Sequence, residues 1–338
     1  MRRCLFLIVA LIVLTARVGA QTVLSYDKPS KKEFKRAAAT VLYRTNCLDI
    51  DQKNRLDALS VIQREMNNFS PDDWKAYNTS DLISEKEGVP YFYKKASDKV
   101  LKEIKRTKVK NGQVALWNLY NMGYIVKTPS HMFAIDLTHK HIDLFAQHLD
   151  FALISHKHRD HGMLRDFEAF AKAGVKVYAG HMPSEKPETL SWNIVEDGET
   201  LNFEGITVTC RKVDHNEKKK GLKLVTSFEI NCGKDTGNTI ILHSGDGYNH
   251  TQLTAQHKVD FFIFHSSVGL NIQKALEKIQ PIYAVFSHAW ELAHKVDLYR
   301  WTIDDLLQIS GKITNFPAER RLLPCWGEKI VYTKKNLL

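Results

Sequence analysis

At 338 residues, with 43% hydrophobic and 25% charged side chains, the chain has the composition of an ordinary folded protein, long enough for one large domain or two modest ones. No internal repeat or low-complexity segment occurs, which excludes a solenoid. The formal net charge of +10 favours anionic partners such as phosphate esters, nucleic acid or anionic lipid; an anionic small-molecule substrate is the expectation and nucleic acid stays open without support, because the lysines are scattered and the only tight run, Lys218 to Lys220, reads as a solvated loop.

Residues 1–20 open with Arg2 and Arg3, continue as an apolar stretch from Cys4 to about Ala16, and end in the small pair Gly19 and Ala20. That is the pattern of a secretory signal peptide, and the apolar stretch is shorter than the roughly 20 residues a spanning helix needs. The expectation is an exported protein, periplasmic or extracellular, whose mature chain begins near Gln21, loses three arginines (Arg2, Arg3 and Arg17) and stays basic. An uncleaved anchor is the lesser alternative. Nothing later in the chain reads as a membrane span. Four further cysteines follow, Cys47, Cys210, Cys232 and Cys325. In an oxidising compartment they can pair in three ways, and with no CxxC spacing they read as structural thiols or disulfides rather than metal ligands.

Segment 21–112 reads as a helical accessory region, with helices over 33–43, 52–66 and 94–104. Pro71 and Pro90 are expected to break it. In the second helix Leu56, Leu59, Val61, Ile62 and Met66 fall on or near one face. No chemistry is visible there. From Gln113 the texture changes to short apolar strands over 114–119, 124–128, 132–137 and 151–155, and the core domain is expected to span 113–338. A helix over 163–173 follows, then strands over 175–178, 206–210, 224–231, 239–243 and 261–265. A helix over 272–279, a strand over 283–287, a helix near 303–309 and a closing strand over 329–332 complete the order. Such mixed order suits an α/β protein with two sheets packed face to face and helices outside.

The sharpest signal is Ser155-His156-Lys157-His158-Arg159-Asp160-His161, directly after the apolar strand over 151–154 and before a helix. Residues two apart in an extended segment face the same way, so His156 and His158 can grip one metal together. Asp160 and His161, where the chain turns toward the helix, can point at a second. Imidazole and carboxylate suit zinc, and a zinc site with an open position lowers the pKa of bound water to about 7.

His-x-His-x-Asp-His after a strand resembles the signature of the metallo-β-lactamase superfamily, over roughly the last two thirds of the chain. The resemblance implies a four-layer αββα sandwich preceded by the helical N-terminal region. It also implies the remaining site residues in order. Asp136, ending a strand, matches the aspartate that supports the metal loop from behind. His215 matches the third ligand of the first metal, Asp246 the carboxylate bridging both metals, and His288 the last ligand of the second. His294 and His265, which also ends a strand, compete for that last place.

Within the superfamily a histidine at position 158, where the di-iron oxygen-reducing branch usually has glutamate, favours zinc hydrolysis. Asp246 points away from the true zinc β-lactamases, which generally lack the bridging aspartate. Segment 117–124 and the Gly245-Asp246-Gly247 turn are more similar to the lactonase and phosphodiesterase-like branch. The implied function is a hydrolase with two zinc ions per chain, in which a metal-bridging hydroxide cleaves an ester-like bond and Asp160 orients the nucleophile. A metal- or substrate-binding scaffold without turnover and a di-iron redox protein are the alternatives. His181 and Tyr248 lie in loops near this set and read as solvated loop residues.

Overall fold

The computed structural model describes residues 27–48, 52–180, 190, 192–296 and 298–334; the segment 1–20 that reads as a signal peptide and His181 lie outside the described residues. Four helices come first: α1 (Lys31–Tyr43), α2 (Lys53–Asn67), α3 (Pro71–Thr79) and α4 (Gly88–Arg106). The region breaks just before Pro71 and Pro90, as expected, and each proline sits in the first turn of the helix that follows. Ser70 and Asp73 form a capping box around Pro71, the first residue of α3, and Pro90 is the third residue of α4. A proline in the first turn lacks an N–H that would be unpaired there anyway.

The rest alternates strands and helices: β1 (Gln113–Asn118), β2 (Tyr124–Lys127), β3 (Met132–Ile135), α5 (Ile142–Ala146), β4 (Phe151–Ile154), α6 (Leu164–Lys172), β5 (Lys176–Ala179), β6 (Asn193–Ile194), β7 (Thr200–Phe203), β8 (Ile206–Val213), β9 (Val225–Asn231), β10 (Ile240–His243), β11 (Phe261–His265), α7 (Ile272–Ile279), β12 (Tyr283–Ser287), α8 (Ile303–Gly311), β13 (Arg321–Leu322) and β14 (Lys329–Thr333). They form two sheets, ordered β14-β1-β2-β3-β4-β5-β6 and β13-β12-β11-β10-β9-β8-β7. Strands β3 to β6 run parallel, as do β10 to β13.

Strand alternation assigns the two faces. In β1, Val114 and Leu116 enter the core between the sheets, with Phe133, Phe228 and Ile263. Ala115 and Trp117 face outward, against Ile104 of α4, Phe145 of α5 and Phe170 of α6. On the far side, Ala275 and Leu276 of α7 and Leu306 of α8 cover Phe262 and Phe286 of the second sheet. This is the expected αββα order of layers.

The N-terminal helices pack on residues of the sandwich. Phe34, Leu59, Met66, Trp74 and Phe92 share one buried cluster with Tyr120, Trp290, Leu292 and Trp326. Arg55 of α2 reaches Glu328 in a bidentate pair, Nε to Oε1 at 2.8 Å and Nη2 to Oε2 at 2.6 Å. Among the described residues no helix is long and apolar enough to cross a membrane. Of the two readings of the cysteines the structure has the structural thiols: Cys47, Cys210, Cys232 and Cys325 are free and buried, serving as small apolar side chains within the clusters.

Candidate metal centre

Parallel strands bring their carboxyl ends to one edge, and every residue singled out for the site sits there. Asp136 follows β3, the run His156 to His161 follows β4, and His215 comes two residues after β8. Asp246 follows β10 and His288 follows β12. Strand β8 points the same way as β10 because each is antiparallel to β9.

Behind the run stands Asp136, fully buried and in left-handed backbone at φ 46. Its Oδ1 accepts the Ser155 N–H at 2.6 Å and its Oδ2 accepts the Ser155 hydroxyl at 2.7 Å. The same Oδ2 lies 2.8 Å from His161 Nδ1. A carboxylate on one ring nitrogen orients the other, and His161 Nε2 lies 3.4 Å from Asp160 Oδ2 and 3.1 Å from Asp246 Oδ1.

Asp246 stands between two groups. Its Oδ2 lies 3.6 Å from His156 Nε2 and 3.5 Å from His215 Nε2, while its Oδ1 faces His161 and, at 4.0 Å, His288 Nε2. The turn that carries it needs Gly245: at φ 51, an added Cβ there would come within 2.7 Å of Ser155 Cβ and of Val225 Cγ1. His158 Nδ1 approaches His215 Nε2 at 3.2 Å, and the Asn216 amide holds His215 Nδ1 at 2.7 Å. Asp160 Oδ2 accepts from Asn121 Nδ2 at 3.0 Å and lies 3.0 Å from His288 Nε2.

Three groups therefore have donor atoms within 4.8 Å of one another: His156, His158, His215 and Asp246; Asp160, His161 and His288; and Asp246, His265 and His288. The first two are the sets expected from the sequence. His265, expected only as a rival of His288, joins it instead. Asn121 was not singled out for contact with the site. The available signal for His265 was that β11, like β12 beside it, runs straight into a histidine.

The electrostatics are those of a site shaped for positive charge. Burial opposes charge on His161, yet Asp246, Asp160 and Asp136 raise its pKa well above the ordinary value. Burial likewise opposes charge on His288, and its bond to Asp160 with the field of Asp246 raises it. Against burial, which alone would raise them, His161 and His288 hold Asp160 well below the ordinary carboxyl range; His161, His265 and His156 do the same for Asp246. Burial, and then the neighbouring His161, depresses His156 well below its ordinary value, and burial with His288 depresses His265.

The residues fit divalent cations. Buried atoms facing the cluster, His156 Nε2, His161 Nε2 and Asp246 Oδ1, have no hydrogen-bond partner, and buried polar groups are rarely left so. Imidazole and carboxylate donors suit first-row metals. His265 differs: its Nδ1 accepts the Ser267 N–H at 3.0 Å, which leaves the hydrogen of a neutral ring on Nε2. Tyr248 belongs to the His215 side, where its N–H bonds the Asp214 carbonyl at 3.1 Å.

No family model matches the chain, and no curated protein matches it. Among solved structures it is similar to Igni18, a metallo hydrolase from the hyperthermophilic archaeon Ignicoccus hospitalis, at 14% identity and a TM-score of 0.50, over 66% of this chain and 100% of that one. A second is YhfI of Bacillus subtilis, a metallo-β-lactamase fold protein, at 14% identity and a TM-score of 0.48, over 65% of this chain and 99% of that one. At such identities the likeness is one of fold. The likeness to Igni18, together with the two-sheet topology, shows the two-sheet αββα fold that the histidine run implied.

Proposed function

We propose that the cluster is the centre of a metal-dependent hydrolase that cleaves an ester-like bond, a phosphodiester, lactone or related ester, with zinc as its metal and two ions per chain. The observation that carries this reading is Asp246, whose two oxygens face two separate histidine groups at one edge of the sandwich. His156, His158 and His215 would hold one ion and Asp160, His161 and His288 the other, with Asp246 between them. When bound, such ions supply Lewis acidity and a water acidic enough to lose its proton near neutral pH.

The chain's own groups do the positioning. The Asn121 amide donates to Oδ2 of Asp160, leaving the other oxygen of Asp160 to accept a hydrogen bond from the attacking water. His265, neutral and carrying its hydrogen on Nε2, is a donor for the oxygen that departs. The net positive charge of the chain supports an anionic substrate, and the apolar stretch of residues 4–16 supports export as its setting.

The test combines metal analysis of purified protein with a panel of a chromogenic phosphodiester, a lactone and a cephalosporin. Two zinc ions per chain and turnover of the phosphodiester or the lactone are expected. Iron with visible absorption, turnover of the cephalosporin above the others, or no turnover by zinc-loaded protein would overturn the reading.

A further inference from the structure

The loop that carries His288 is held in place from outside the sandwich. His288 and Trp290 both adopt left-handed backbone, at φ 75 and φ 59. Residues with side chains keep such conformations only where the surroundings over-determine them. His288 itself meets Asp160 and His265, whereas Trp290, two residues on, is held by the N-terminal helices as well. The Trp290 indole, fully buried, donates to Gln63 Oε1 of α2 at 2.7 Å, and the same oxygen accepts the Ile303 N–H at 2.8 Å. One side chain of α2 thus pins the loop on both sides of its bend.

Arg300 makes the second clamp. Its buried guanidinium donates to the carbonyls of Met66 at 2.8 Å and Phe69 at 2.6 Å, at the end of α2, and to those of Leu292 at 2.7 Å and His294 at 2.6 Å in the loop. The last carbonyls of a helix have no partner within it, so this one side chain satisfies the end of α2 and the loop together. Neither Gln63 nor Arg300 contacts the metal centre.

We infer that Gln63 and Arg300 are positioning residues for the second metal, and that the helical layer sets the affinity of that site by holding His288 in its strained backbone against Asp160. The inference rests on the reading of His288 as a ligand. It makes the N-terminal helices part of the working site rather than an appendage.

The experiment is a titration of the full, metal-free chain with Co²⁺, followed by visible absorption and by calorimetry, so that the two binding events are counted separately. Gln63→Leu, Trp290→Phe and Arg300→Met are compared with wild type. Ile104→Ala, a core truncation in α4 whose cluster excludes the loop, controls for stability alone. The expected result is second-site affinity weaker by tenfold or more in Gln63→Leu and Arg300→Met, with the first site unchanged. Trp290→Phe, which removes only the indole donor, should fall between these and wild type. Ile104→Ala should lower the unfolding temperature and leave both affinities unchanged. Wild-type second-site affinity in Gln63→Leu and Trp290→Phe would overturn the positioning role, as would an equal loss in Ile104→Ala. A wild-type chain that takes up a single ion would instead remove the ligand reading beneath it.

Discussion

The imidazoles of His265 and His288 lie face to face, their ring centroids 3.7 Å apart and their planes within 12°. A ligating imidazole is neutral, and of the two rings it is His288 that reaches Asp160, while burial and the adjacent His288 lower the pKa of His265. His265 is therefore a neutral donor beside the ligands. His265→Ala is expected to keep the wild-type zinc stoichiometry and lower kcat by about 10²-fold or more, whereas His158→Ala loses zinc. Loss of zinc from His265→Ala, measured by elemental analysis, would make it a ligand.

Asp136 acts through His161. Asp136→Asn keeps an acceptor for the Ser155 N–H but sets an amide against His161 Nδ1 in place of a carboxylate. Changes of this kind typically cost 10- to 100-fold in metal affinity. Zinc competition against a chromophoric chelator should show a loss in that range; an affinity within twofold of wild type would mean that Ser155 alone orients the run.

The Arg55 and Glu328 pair ties α2 to the start of β14, with both side chains nearly inaccessible. Removing one partner of a buried pair leaves an uncompensated charge and costs about 3–5 kcal/mol, whereas replacing both with apolar groups is often close to neutral. Arg55→Met is thus expected to lower stability by about 3–5 kcal/mol in urea unfolding, and adding Glu328→Leu should restore most of it. A double variant as unstable as the single one would assign the pair's contribution to packing.

His139, stacked on Tyr93 at 4.2 Å, is depressed well below its ordinary 6.5 by burial and then by the nearby His141 and Arg165. Its folded pKa lies below the unfolded one, so its contribution to stability is fully present above about pH 6.5 and is lost as pH falls toward the folded value. Stacking is kept in His139→Phe, which removes the titration. The stability gap between wild type and this variant should shrink below pH 6.5, at up to about 1.4 kcal/mol per pH unit. A gap that stays constant between pH 7 and pH 5 in urea midpoints would assign the acid sensitivity elsewhere.

What could be read from the sequence was what is local. The run His156 to His161 announces itself because its spacing alone puts donors on one side of an extended chain, and His215, Asp246 and His288 followed from their order after apolar strands. His265 is different in kind. Its place depends on the parallel register that sets it opposite Ser287, beside His288, and no local pattern encodes that pairing. Strand β7 was missed for a similar reason: only Leu201 of its four residues is buried, so it carries no apolar run. The docking of α2 was hidden because Gln63 and Arg300 are 237 positions apart and each, alone, reads as a polar surface residue.

The four buried thiols among the described residues give this molecule internal clocks. Reagents that alkylate cysteine need an accessible thiolate, and here burial pushes Cys210 up to about 12 and raises Cys47, Cys232 and Cys325 as well. Labelling must therefore wait for an opening of the structure. Cys325 lies in the cluster beneath the N-terminal helices, while Cys210 and Cys232 lie between the two sheets. Lifting of the helices alone exposes Cys325 first; separation of the sandwich releases Cys210 and Cys232 together. The order in which the thiols react thus tells whether the helical layer leaves before the sheets part, a history that a single melting curve averages away.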